Sequence, residues 1–271
     1  MSARRRRVRL RTRDPYSPYP EEINRRLTTQ LTALHLPPTT TSKRNLLLEG
    51  IDETRVVVTG NTVIDALLWT VEQPLATDAD ILAGLDGKRV VLVTAHRRES
   101  WGSAMEGVGR ALADIARREP NVEIVFPIHR NPRVREAIVP ALDGLPNVRL
   151  LEPLPYAPFA HLMRQADIIL TDSGGIQEEG PSLGKPVLVM RDTTERPEAI
   201  VAGTARLVGT DELAVAGAVR ALLHDDAAYD AMANAVNPYG DGRAAQRTVD
   251  ALGHYFGDRP PVEEFTGGGA G

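Results

Sequence analysis

The chain has 271 residues, 42% of them hydrophobic and 25% charged, with a formal net charge of −4 and no cysteine. That length supports one large or two ordinary domains with a sizeable core. The charge gives no global reason to bind nucleic acid, the missing cysteines exclude disulfides and thiolate metal sites, and no stretch approaches the apolar length of a membrane helix.

The chain opens on ARRRRVRLRTR (Ala3–Arg13), which holds seven arginines. No apolar run follows, so this is not a signal peptide, and taken alone it reads as a solvated, unstructured start. Pro20 leads into a helix expected over Glu21–Leu34, with Glu21 and Glu22 complementing its positive end. A second helix is expected over Thr41–Glu49, closed by Gly50. RVVVT (Arg55–Thr59) reads as a strand. Gly60-Asn61 then turns the chain into a helical run, Thr62–Val71, and Pro74–Asp86 reads as a linker.

From Lys88 onward β-rich runs alternate with helical ones. Strands are expected at Arg89–Thr94, Val122–Pro127, Val148–Leu151, Ile168–Thr171, Pro186–Met190 and Ala205–Val208. Most are apolar throughout, as strands covered on both faces should be. Helices are expected at Met105–Arg118, Pro132–Leu142, Pro158–Ala166 and Gln177–Leu183, and later at Asp211–His224, Ala227–Ala235 and Gly242–Tyr255. The alternation implies an α/β fold with a doubly wound parallel sheet. The segments are expected to divide as 1–60, a remnant of a first Rossmann-like domain; 61–87, a connecting helix and linker; 88–236, a complete sheet domain; 237–257, a crossover helix; and 258–271, a disordered tail.

Ligands of such sheets bind at the carboxyl ends of the strands. The first strand is followed by His96-Arg97-Arg98-Glu99, the second by His129, the fourth by Asp172-Ser173-Gly174-Gly175, and the fifth by Arg191 and Arg196. Glycine lets backbone amides approach a ligand closely, so Ser173-Gly174-Gly175 reads as an anion corner, with Arg196 reaching it from the side. No G-x-G-x-x-G is present. Gly180–Lys185 is one residue short of a Walker loop and is followed by Pro186, so a P-loop ATPase is not expected. Glu178 and Glu179 are adjacent on one helix, so at most one faces the cleft, where it would accept from a ribose diol. Phe159 either stacks on a base or fills the core.

GNTVIDALLW (Gly60–Trp69), TAHRRESWG (Thr94–Gly102), PIHRNPRVRE (Pro127–Glu136), EPLPYAPFAHLM (Glu152–Met163) and TDSGGIQEEGPSLGKPVLVMRDTTERPE (Thr171–Glu198) stand in order along the chain. DPYSPYPEEINRRLT (Asp14–Thr28) and NPYGDGRAAQRTV (Asn237–Val249) belong to the same series. Together they resemble the non-hydrolysing UDP-N-acetylglucosamine 2-epimerases, from about Leu10 to Tyr255. The resemblance implies a glycosyltransferase-B-like fold of two facing Rossmann-like domains. It also implies interconversion of UDP-N-acetylglucosamine and UDP-N-acetylmannosamine by elimination and re-addition of UDP, without metal or nicotinamide.

By position, Phe159 resembles the residue that stacks on uracil, with the backbone near Leu154 at its edge. Ser173, Gly174 and Gly175 match the diphosphate cradle and Glu179 the ribose ligand. His96 and Arg196 match groups around the phosphates and sugar. Glu21 matches a catalytic carboxylate. The departures are as specific. Arg7 stands where the family has a second catalytic glutamate, Arg13 and Pro15 replace a Gly and a Leu, and Pro155 replaces an Asp. Most of the family's first domain has no counterpart, and the arginine-rich start reads as an altered or misread one. The chain is therefore expected to bind UDP but to turn substrate over slowly. A homodimer or a complementing amino-terminal half is the expected partner, and the cytoplasm the expected location. Two other readings stay open: a non-catalytic UDP-sugar binding module, and a hydrolysing epimerase or related glycosyltransferase.

Overall fold

The computed structural model describes residues 19–75, 79–96 and 102–267. Helix α1 (Glu21–Leu31), α2 (Thr40–Leu48) and α3 (Thr62–Glu72) come first, followed by a short α4 (Ala79–Leu82). Then follow β1 (Arg89–Thr94), α5 (Ser103–Arg118), β2 (Val122–Pro127), α6 (Pro132–Leu142) and β3 (Val148–Leu151). After these come α7 (Tyr156–Gln165), β4 (Ile168–Thr171), α8 (Ile176–Glu179), β5 (Val187–Val189) and α9 (Pro197–Val201). The chain ends with β6 (Ala205–Leu207), α10 (Glu212–His224), α11 (Asp226–Ala233) and α12 (Ala244–Tyr255). Two units result, one of Met1–Ala66 with Val236–Gly271 and the other of Leu67–Ala235. Among the described residues no helix is long and apolar enough to cross a membrane.

In the first unit, α1 buries Glu22, whose carboxylate is met by Arg26 at 3.1 Å and Arg25 at 3.9 Å. Thr39 caps α2, its hydroxyl accepting from the Ser42 amide at 3.0 Å, and Gly50 follows the helix at φ +82°. The strand expected over Arg55–Thr59 is not formed. Glu53–Arg55 is a 3₁₀ turn, and among the described residues one bridge, His35 to Val56, is made. The Val57 and Thr59 amides do bond the His35 and Pro37 carbonyls, at 3.0 Å each. Pro37 has no N–H to return, so the ladder stops there. Asp65 receives the first amides of α12, from Ala244 at 3.1 Å and Ala245 at 2.6 Å. The stretch expected as a disordered tail is placed through residue 267. Phe265 is buried, and its amide donates to the Val58 carbonyl at 2.9 Å. Lys43 meets Glu264 at 3.1 Å. The rest of that tail lies outside the described residues.

In the second unit a six-stranded sheet runs in the order β3-β2-β1-β4-β5-β6, every neighbouring pair parallel. This is the Rossmann-like order. Val91, Val93, Ile124 and Phe126 point into a core with Leu112 and Ile115 of α5, Ile138 of α6 and Val219 of α10. Val90 and Leu92, which face the other way, are equally buried. Burial on both faces explains why the inner strands could be read as largely apolar runs. The linker expected over Pro74–Asp86 contains α4, and α9 was not foreseen.

Candidate active site

The chain steps from β1 to β2 and β3 on one side, then returns to β4 and steps to β5 and β6 on the other. The carboxyl ends of β1 and β4 therefore bracket the point where the strand order reverses, the place where such sheets hold ligands. Thr94 and Thr171 close these two ends, their hydroxyls 2.6 Å apart. Beyond them lie His96 and the Asp172–Gly175 corner.

Asp172 holds His96 twice. Its Oδ2 accepts the His96 backbone amide at 2.8 Å, and its Oδ1 lies 2.9 Å from His96 Nδ1. The carboxylate is 1% exposed while the imidazole is 47% exposed, so a buried anion orients a ring that faces outward. The approach of Oδ1 to Nδ1 orients the ring, with Nε2 on the side away from Asp172. Asp172 was seen in the sequence only as part of the corner, and its hold on His96 was missed. The His129 ring centroid lies 6.5 Å from that of His96. Arg97, Arg98 and Glu99, expected beside His96, lie outside the described residues.

The corner is stitched from below. The Ser173 amide donates to Thr171 Oγ1 at 2.9 Å, and its carbonyl accepts from Gln177 Nε2 at 3.1 Å. Gln177 Oε1 accepts from Thr194 Oγ1 at 2.6 Å, and that hydroxyl accepts the Arg196 amide at 3.0 Å. The glycine corner and Arg196 are thus ends of one hydrogen-bonded chain. Arg196 lies against Gly174 so closely that a Cβ there would sit 2.6 Å from Nη1. Gly174 is glycine because this guanidinium takes its side-chain space.

Arg196 does reach the corner from the side, and it is held rather than loose. Its Nε donates to Glu178 at 3.0 Å and its Nη1 to Glu195 at 3.1 Å, while Arg191 meets Glu195 at 3.2 Å. Glu178 is 3% and Arg196 15% exposed. Two carboxylates offset two guanidiniums, so the corner relies on aimed donors more than on net positive charge. The helix behind it is shorter than expected. Ile176–Glu179 is one α-turn, continued by a 3₁₀ turn at Gly180–Leu183. A helix this short adds little dipole.

Glu178 and Glu179 diverge, as adjacent helical residues must. Glu178 turns to Arg196. Glu179 accepts from the Tyr156 hydroxyl at 3.2 Å, with its other oxygen beside the exposed Gly175. Burial, then the Glu179 charge, pushes the Tyr156 phenol up to about 12, so it stays a donor. Tyr156 was missed because the helix was expected to begin at Pro158. It begins at Tyr156, and Pro158 fits its first turn, where an amide would have had no helical partner. Phe159 is only half-buried and is not among the core residues, and Leu154 is half-buried in the loop after β3. Glu21, in the first unit, is the exposed first residue of α1.

Residues 10–253 match the family described as UDP-N-acetylglucosamine 2-epimerase. The chain is 53% identical over 250 residues to the UDP-N-acetylglucosamine 2-epimerase of Escherichia coli strain K12, covering 90% of this chain and 66% of that protein. A crystal structure of UDP-GlcNAc 2-epimerase from Neisseria meningitidis bound to UDP-GlcNAc superimposes with a TM-score of 0.82 at 47% identity, covering 90% of this chain and 67% of that one. The S. aureus MnaA–UDP co-structure gives 0.86 at 41% identity, covering 96% and 70%. The chain spans about two thirds of the length of these relatives. The complete sheet domain is glycosyltransferase-B-like, as expected. The chain belongs to the UDP-N-acetylglucosamine 2-epimerase family, a family of isomerases.

Proposed function

We propose that the corner at the carboxyl ends of β1 and β4 grips the diphosphate of UDP-N-acetylglucosamine, and that the chain carries the UDP-binding part of its 2-epimerisation. The observation that carries this is the Gly174–Arg196 contact. Glycine at 174 lets a guanidinium held by two carboxylates lie directly against the corner backbone, which puts a fixed cation beside the place a phosphate would occupy. The relatives crystallised with UDP or UDP-GlcNAc support the choice of nucleotide. The named relatives are epimerases, so nothing favours the glycosyltransferase or hydrolysing readings.

In this reading the Ser173 hydroxyl and the amides of Gly174 and Gly175 take the diphosphate, Glu179 takes the ribose, and Phe159 with the Leu154 backbone takes uracil. His96, oriented by Asp172, presents Nε2 to the leaving phosphate oxygen. Breaking the C1–O bond places negative charge on UDP, and donors already aimed at that charge lower the barrier. By its position in the sequence, Glu21 is the carboxylate proposed for proton transfer. A complementing amino-terminal half supplies the carboxylate that Arg7 replaces. The reaction belongs to the cytoplasm.

Proton NMR in deuterated water tests this. Incubation with UDP-N-acetylglucosamine is expected to show slow loss of the C2 proton and slow appearance of UDP-N-acetylmannosamine. Release of free N-acetylmannosamine without return of UDP-sugar would overturn epimerisation in favour of hydrolysis. No exchange despite UDP binding would leave a binding module.

A further inference from the structure

We propose that Tyr156 is a positioning residue that straps the base subsite to the ribose subsite. This rests on the reading of Glu179 as the ribose ligand. Tyr156 is the first residue of α7, and Phe159 lies three residues later on the same helix. Residues three apart on a helix share a face. The Tyr156 hydroxyl donates across to Glu179 Oε1, on α8, at 3.2 Å. Glu179 Oε2 points the other way: a Cβ on Gly175 would lie 3.5 Å from it. One carboxylate oxygen is tied to the helix bearing the aromatic ring, and the other borders the glycine corner.

A base stacked on Phe159 and a ribose held by Glu179 belong to one rigid nucleoside. The distance between the subsites must match it, and Tyr156 is the polar link that sets this distance. The phenol's shift toward about 12 keeps its proton in place at any ordinary pH, so the link does not switch off. A separation of 3.2 Å is long for a hydroxyl donor, and such bonds commonly tighten when ligand binds. Tyr156 is 45% exposed, so removing its hydroxyl leaves no cavity.

Calorimetric titration of the whole chain and of Tyr156→Phe with UDP, 2′-deoxy-UDP and pyrophosphate tests the strap. Wild type is expected to prefer UDP over 2′-deoxy-UDP by about 10-fold or more, the discrimination a charged acceptor gives a hydroxyl. Tyr156→Phe is expected to shrink that preference by about 3- to 10-fold while leaving pyrophosphate affinity unchanged. An undiminished preference in Tyr156→Phe, or an equal loss for all three ligands, overturns the strap and leaves the ribose reading standing. A wild type that binds UDP and 2′-deoxy-UDP alike, or neither, removes the ribose role of Glu179 and the strap with it.

Discussion

The guanidinium of Arg196 occupies the space that a side chain at residue 174 would fill, with Nη1 2.6 Å from where a Cβ would stand. Glu178 and Glu195 hold that guanidinium from behind, so it has little freedom to withdraw. Gly174→Ala is therefore expected to push Arg196 off the corner and weaken UDP binding by about 10- to 100-fold, the worth of a lost charge-assisted contact. Because the end of a side chain yields more easily than backbone, the variant should stay folded. Calorimetry beside a thermal melt checks both halves of the prediction.

Gly180→Ala is the contrasting case. Its Cβ would meet Val187 Cγ2 at 2.7 Å and Ile169 Cδ1 at 3.0 Å, on β5 and β4. Neither can move without disturbing the sheet, so a cost of about 1–3 kcal/mol in stability is expected. Urea denaturation measures it. The UDP affinity of the folded protein should change little, since Gly180 touches apolar core and not the corner.

His96 and Asp172 act as one unit if the carboxylate serves to orient the ring. Asp172→Asn and His96→Asn should each weaken UDP binding, and the double variant should bind no worse than the weaker single one. Additive losses in that cycle would mean that the two residues act separately.

Glu123 supplies the pH prediction. It is 2% exposed on β2 and receives Lys88 at 2.6 Å together with Arg149. Burial alone would raise its pKa, but hydrogen bonds from Lys88 and Arg149, with their charges, outweigh this and lower it from the usual 4.5. A lowered folded value means stability that is present above 4.5 and lost as pH falls through the folded value. Glu123→Gln should cost about 1–3 kcal/mol near neutrality, because both cations are partly exposed and rehydrate. The variant's stability should also be flatter than wild type below that pH. Urea denaturation at several acidic pH values reads out both effects.

The four inner strands were legible because they are buried on both faces and so carry mostly apolar runs of readable length, while the edge strands β3 and β6, partly buried and each holding an arginine, were legible from their place in the alternation. The Arg55–Thr59 run carried the same β-rich signal. What decides a strand is a partner with donors to return, and that information sits in Pro37, about twenty positions away. The corner residues were legible because glycines at a strand end have few other uses. Their supports were not. Asp172, Tyr156 and Glu178 act through contacts 76, 23 and 18 residues apart in sequence, which no local spacing encodes. The start of α7 was misplaced because proline marks a first turn without saying which of its positions it fills.

The most direct measurement is a calorimetric titration of the purified chain with UDP, set beside Ser173→Ala and Glu179→Ala. Saturable binding, weakened in both variants, is the expected result. A folded protein that gives no heat and no saturation with millimolar UDP would contradict the claim that this sheet edge holds a nucleoside diphosphate.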